Sequence, residues 1–325
     1  MADEMTPLGG GRIPRRDVLT AALGATATFA ATSYAHGAPA DASPPAIDTH
    51  THFYDPTRPE GVPWPGKGGP LYRRVLPSDW LEQARPSGIT ETVVVEASAW
   101  VEDNQWLLDM ARDHPCLVGV VGRLPIGEDG CTKLIDRFAA NPKFRGVRVG
   151  GDSVVKGLES ADFMRDLERL AFHGLVPDIN GGPALDAADR LAARLPEMRV
   201  ILEHMAGAGI VGEAPAPAWV EGLARAAARP NVWLKVSNLV ESAAHSAGKK
   251  RAPVDPAFYR PWLDAAWNAF GPDRLIYGSN WPVCEWAADY ATVVGIVRPW
   301  VAAHGPAAEA SFFQGAARKA YGLER

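Results

Sequence analysis

The chain has 325 residues, with 33 Lys and Arg against 38 Asp and Glu, a formal net charge of -5, and 47% hydrophobic residues. That balance belongs to a folded globular protein and excludes a disordered tail protein, a collagen-like repeat and a disulfide scaffold; mild acidity also argues against nucleic acid as a partner. The three cysteines, Cys116, Cys131 and Cys284, lack metal-ligand spacing and read as core or semi-buried thiols.

Residues 1–40 read as an address. A polar start carrying Arg15-Arg16 precedes an apolar run over 18–31, and Ala38-Pro39-Ala40 follows. A basic region, an apolar region and a small-x-small cut site describe an export signal. The arginine pair ahead of Asp17-Val18-Leu19 resembles the twin-arginine pattern. Thr20, Thr26 and Thr28 dilute the run, which barely reaches the roughly 20 residues needed to span a bilayer. The expectation is cleavage, no membrane anchor, and a mature protein that works in the periplasm or outside the cell.

Over 41–325 one pattern repeats. Short β-rich runs at 46–52, 92–96, 117–123, 146–149, 175–179, 200–204, 232–237 and 275–278 alternate with helical stretches. The helices carry apolar residues three and four apart, as in Trp106, Leu107, Met110 and in Phe163, Leu167, Leu170. Strands alternating with helices predict parallel βαβ units, and eight units in this length predict a single-domain (β/α)8 TIM barrel. No Gly-x-Gly-x-x-Gly turn follows a strand, so no nucleotide cofactor is expected. The proline-dense loop over 54–66, with Trp64, is either a lid or an irregular packing segment. The stretch over 241–256, with Lys249-Lys250-Arg251, is expected to be irregular and mobile.

In such a barrel, active residues sit at the carboxyl ends of strands. The first strand ends in His50-Thr51-His52, and alternation places both imidazoles on one face. Two imidazoles one pleat apart can chelate a metal or share a substrate proton. Further ends offer Glu96, Arg145 and Arg148, Glu203-His204, Lys235 and Ser237, and Ser279-Asn280-Trp281. A lysine in a barrel strand needs a partner, because buried ions are costly alone. Together these residues predict convergent histidines, cations and an amide around a small-molecule substrate.

The residues His50–Pro56, 93–97 with Asp103-Asn104, 144–148, Glu203-His204, Lys235-Val236-Ser237 and 274–283 resemble, in order, the amidohydrolase superfamily. The resemblance is to its branch of sugar-lactone and muconolactone-type lactonases, the amidohydrolase-2 group. It implies that His50, His52, His204 and Asn280 are catalytic, and that Glu96, Trp100, Arg148, Lys235 and Trp281 bind substrate. It also implies that any metal sits on His50, His52 and His204. Two departures stand out. Asn280 occupies the strand-eight position where the superfamily usually has an aspartate, and a neutral amide cannot act as a base. The fifth strand ends in Asp178-Ile179-Asn180, so its histidine is missing and a four-histidine binuclear site is excluded. The cofactor expectation is none or one divalent metal, zinc being the candidate. The functional expectation is opening of a small lactone or cyclic ester. Its alternatives are a metal-dependent decarboxylase of an aromatic or muconate-type acid, and an exported binding protein that has lost its base. Oligomeric state is not legible.

Overall fold

A computed structural model describes residues 45–323; the export-signal expectation over 1–40 lies outside the described residues. Eight strands run in chain order around one sheet, every neighbouring pair parallel. They are β1 Ala46–Thr51, β2 Ile89–Val95, β3 Leu117–Gly122, β4 Phe144–Gly150, β5 Val176–Asn180, β6 Val200–Leu202, β7 Val232–Val236 and β8 Leu275–Tyr277. The sheet closes just beyond β8, where the Asn280 N–H donates to the His50 carbonyl at 2.8 Å and the His52 N–H to the Trp281 carbonyl at 2.8 Å. The predicted (β/α)8 barrel is the observed fold.

The helices are α1 Pro77–Ala84, α2 Asp103–Asp113, α3 Cys131–Ala139, α4 Gly151–Gly157, α5 Ala161–Phe172, α6 Ala184–Arg194, α7 Pro217–Ala227, α8 Leu239–Ser246, α9 Pro256–Phe270, α10 Tyr290–Ala302, α11 Pro306–Ala310 and α12 Ala316–Tyr321. The apolar stripe of α5, Phe163, Met164, Leu167 and Leu170, is wholly buried. At roughly 1.5–3 kcal/mol per fully buried large apolar side chain, such stripes supply most of the stabilisation.

Inside the barrel, Ile47, Val93, Val95, Val121, Val176, Ile201 and Ile276 form a second apolar cluster, joined by Ala316, Ala317, Ala320 and Tyr321 of α12. The closing helix therefore plugs the interior as well as covering the last strand. Above this plug the inward positions turn polar, and that change of lining creates the site.

One expectation over 241–256 is corrected. Residues 241–246 lie in α8, because Leu239, Val240, Ala243 and Ala244 recur at helical spacing and are all buried. The expected cysteine chemistry agrees with the structure: Cys131 and Cys284 are buried, and no described cysteine is bridged.

Candidate active site

β1 carries its polar residues into the barrel by tying each to a neighbour. The buried Asp48 carboxylate accepts from the His50 N–H at 3.0 Å, the Ser279 N–H at 2.9 Å and the Tyr290 hydroxyl at 3.0 Å. Thr49 donates to the Tyr277 carbonyl at 2.6 Å, and Thr51 shares a hydrogen with Thr92 at 2.7 Å. Gly278 lets β8 approach β1 closely: a Cβ there would meet the His50 Cβ at 2.8 Å. These ties hold His50 and His52 on one face, as the alternation predicted.

His50, His52 and His204 form one cluster, with ring centroids 4.9 Å apart for His50 and His52 and 4.4 Å for His50 and His204. Burial and the nearby cations Lys235 and Arg148 push all three below the ordinary histidine range, His52 to about 4. They are therefore neutral imidazoles at physiological pH. His204 sits on a left-handed backbone, φ 55°, with Met205 and Ala206 following in the same region. Such a run is costly for residues with a Cβ and is found where function fixes the backbone. Its Nδ1 meets Ser237 Oγ at 3.0 Å, and Arg148 reaches its Nε2 at 3.3 Å.

Beneath the histidines lies a fully buried ionic layer. Lys235 Nζ donates to Asp178 Oδ2 at 2.7 Å and lies 3.3 Å from His50 Nδ1 and 3.8 Å from Glu203 Oε1. Tyr321 of α12 donates to the same Asp178 oxygen at 2.7 Å. Arg148 Nε donates to Glu203 Oε2 at 2.8 Å. The Lys235 ammonium, expected at the substrate, is enclosed and engaged by Asp178, and Lys235 is not among the residues that line the cavity above the histidines.

Above the histidines a cavity of about 350 Å³ is lined by His52, Trp64, Glu96, Ala97, Arg148, His204, Asn280 and Val283. Glu96, at the end of β2, lies 3.6 Å from Arg123 Nη1 and 3.9 Å from Arg148 Nη1. Burial raises its carboxyl against the pull of both arginines, to about 7. Trp64, from the proline-dense loop, packs over His52 at 5.9 Å and edge-on against Tyr54 at 5.4 Å, so that loop forms a cavity wall.

The two other tryptophans expected at the substrate stand elsewhere. Trp281 is buried against Phe53 and donates its indole N–H to Glu285 Oε1 at 2.7 Å, because the closing turn of the barrel draws it into the core. Trp100 is exposed on the loop after β2, outside the cavity lining. Arg145 lines a separate cleft with Arg199 and Arg318.

Sequence reading passed over Glu241. Its buried carboxyl accepts from Asn280 Nδ2 at 2.8 Å, and burial raises it to about 8. The apolar spacing of α8 was the available signal. Glu203 was read only as a strand-end residue, yet its ligand atom and those of His50 and His204 lie within 4.8 Å of one another, a group able to hold a metal ion.

With this geometry in hand, known proteins supply the family. A family model described as amidohydrolase matches residues 47–323. The chain belongs to the amidohydrolase family. It is 32% identical to an L-fucono-1,5-lactonase of Burkholderia multivorans over 291 residues, 85% of this chain and 96% of that one. It is 30% identical to an L-fucono-1,5-lactonase of Burkholderia ambifaria over 296 residues, 86% of this chain and 96% of that one. Among solved structures, an amidohydrolase of Burkholderia multivorans with bound zinc is 29% identical at a TM-score of 0.75, covering 86% of this chain and all of that one.

The donor set is compatible with a divalent ion. The three imidazoles are held neutral, His50 Nε2 and Glu203 Oε1 are buried without a hydrogen-bond partner among the described residues, and His52 Nε2 faces Asn280 Oδ1 at 3.2 Å. The Val95 carbonyl, 3.0 Å from His52 Nδ1, can only accept, so Nδ1 carries the proton and Nε2 is a lone pair. Two acceptors side by side suit a donor or a cation between them.

Proposed function

We propose that this amidohydrolase opens a small sugar-type lactone by adding water to its carbonyl. The observation that carries the reading is Glu96. It is a carboxyl at the cavity wall that burial raises to about 7, with two guanidinium groups beside it. The relatedness to two L-fucono-1,5-lactonases at 30–32% identity supports the same chemistry and the substrate class.

In the ionised form Glu96 takes a proton from water as the water oxygen attacks the carbonyl carbon. A general base with a pKa near the working pH contributes roughly 10²–10⁴ in rate. Arg148, fixed by Glu203, stands at the cavity wall to receive the developing negative charge on the carbonyl oxygen, a contribution of about 10²–10³. The bond from carbonyl carbon to ring oxygen then breaks, the ring oxygen takes the proton back from Glu96, and the open hydroxy acid leaves as its carboxylate after losing its acid proton to solvent. Asn280 Oδ1 and His52 Nε2 accept hydrogen bonds from water or from substrate hydroxyls. Trp64 covers the apolar edge of the ring.

His50, His52 and His204, with Glu203 and Asn280 as further donors, are the residues that would hold a divalent metal, zinc by analogy with the related structure. Such an ion supplies Lewis-acid polarisation of a carbonyl or acidification of water. Export through the arginine-pair signal is part of the same proposal and rests on the sequence over 1–40.

The test is a panel of aldono-1,5-lactones and aldono-1,4-lactones followed by acid release, with and without added Zn²⁺ or Mn²⁺. Turnover of at least one sugar lactone, lost in Arg148→Met and His204→Ala proteins that stay folded, is the expected result. Failure on every lactone under both conditions overturns the reading and favours a binding protein.

A further inference from the structure

Glu241 is a buried acid that no step above uses. It projects from α8, whose neighbouring positions Leu239, Val240, Ala243 and Ala244 are apolar and buried. No ion pair engages it among the described residues. Its Oε2 has no partner, and its one side-chain hydrogen bond is the 2.8 Å contact from Asn280 Nδ2. A half-satisfied carboxyl in an apolar setting costs on the order of 1–3 kcal/mol relative to an apolar side chain of the same shape. Packing alone therefore favours Leu or Met at this position.

What the carboxyl does is set the orientation of an amide. The Asn280 backbone is already fixed: it is left-handed at φ 62°, its N–H donates to the His50 carbonyl, and its own carbonyl accepts from the Cys284 N–H at 3.1 Å. The side chain keeps one freedom, a half-turn that exchanges Oδ1 and Nδ2. Taken alone, the His52 Nε2 lone pair at 3.2 Å would draw Nδ2 toward itself. The observed orientation is the reverse. Nδ2 turns to Glu241 Oε1 at 2.8 Å and to Asn238 Oδ1 at 3.4 Å, and Oδ1 faces His52. Glu241 Oε1 accepts this hydrogen bond in the carboxylate, and in the carboxylic acid when the proton sits on the unpartnered Oε2.

We infer that Glu241 is a positioning residue that locks the Asn280 carboxamide with its oxygen beside His52 Nε2, so that a neutral amide offers the cavity an acceptor. Glu241 thereby gives Asn280 the directional property that a carboxylate at that place would have by symmetry. Loss of Glu241 frees the amide to turn, and a donor then occupies the spot where water or substrate needs an acceptor.

The kinetic arm of the test rests on the lactone reading, and the spectroscopic arm does not. Glu241→Gln keeps volume and an acceptor oxygen; Glu241→Met keeps volume and removes the acceptor. On a lactone that wild type turns over, E241Q stays within a few-fold in kcat. E241M loses about 10–100-fold in kcat, the scale of a misplaced polar group in an active site, while its thermal midpoint equals or exceeds that of wild type. In ¹⁵N-labelled protein the Asn280 side-chain amide pair, assigned by its disappearance in Asn280→Asp, moves in E241M. Wild-type activity in E241M, equal losses in both variants, or a kcat loss that tracks a lowered thermal midpoint would overturn the inference, as would an unmoved amide pair. If wild type opens no lactone, the functional reading fails and the amide signal alone decides the role of Glu241.

Discussion

Lys235 and Glu96 are ionisable groups at the same end of the barrel, and they differ in how closely they are partnered. Lys235 is enclosed with Asp178 at 2.7 Å, Asp178 is bound again by Tyr321, and Glu203 is bound by Arg148. The Lys235 and Asp178 side chains of that floor are fully buried. Glu96 has two arginines nearby at 3.6 and 3.9 Å, a raised pKa and a cavity in front of it. Charge with close partners builds the floor on which the histidines rest, and charge left loosely partnered is what can react. The same residue types thus serve support or chemistry according to how tightly they are paired.

This contrast can be broken by mutation. The largest effect is expected from Lys235→Met, which leaves Asp178 without its cation, while Glu203 keeps Arg148. Removing one partner of a buried pair costs about 3–5 kcal/mol, read as a fall in denaturation midpoint whether or not substrate is present. A Lys235→Met protein of wild-type stability would mean that the floor is not an ionic support. Next comes Arg148→Lys, which keeps the charge and loses the planar fork joining Glu203 and His204. A loss of about 10–100-fold in kcat/KM is expected, and retention of wild-type kinetics would remove Arg148 from the oxyanion role. Trp64→Ala opens the cavity wall and is expected to raise KM by about 10-fold with kcat little changed, consistent with loss of one aromatic contact. Tyr321→Phe is the smallest change. It removes one of the two hydrogen bonds to Asp178 Oδ2, costs about 1 kcal/mol and leaves kcat in place; a large kcat loss there would join floor and mouth into one unit.

The sequence made the barrel legible because its strands are short apolar runs spaced by amphipathic helices, and that periodicity survives without any partner information. His50, His52, Glu96, His204 and Asn280 were legible for a related reason: polar side chains at the carboxyl ends of barrel strands have few structural excuses. The rest depended on distance in space. Whether Lys235 faces substrate or Asp178 is decided by Tyr321, which lies 86 residues later on α12. Trp281 was expected at the substrate from the resemblance, and the closing turn of the barrel buried it. Glu241 was hidden by a short alanine-rich helix that resembles the loop following it, and its meaning appears only once Asn280 is beside it.

The pH dependence of kcat/KM tests most directly the proposal that Glu96 is the base that activates water. A base must be ionised to act, and burial holds Glu96 at about 7. Activity of wild type on a sugar lactone should therefore be low at acid pH and rise through an inflection near pH 7. In Glu96→Gln the rate should fall by roughly 10²–10⁴ and the inflection should vanish. A Glu96→Gln enzyme that keeps the same inflection, or keeps the wild-type rate, would contradict the account.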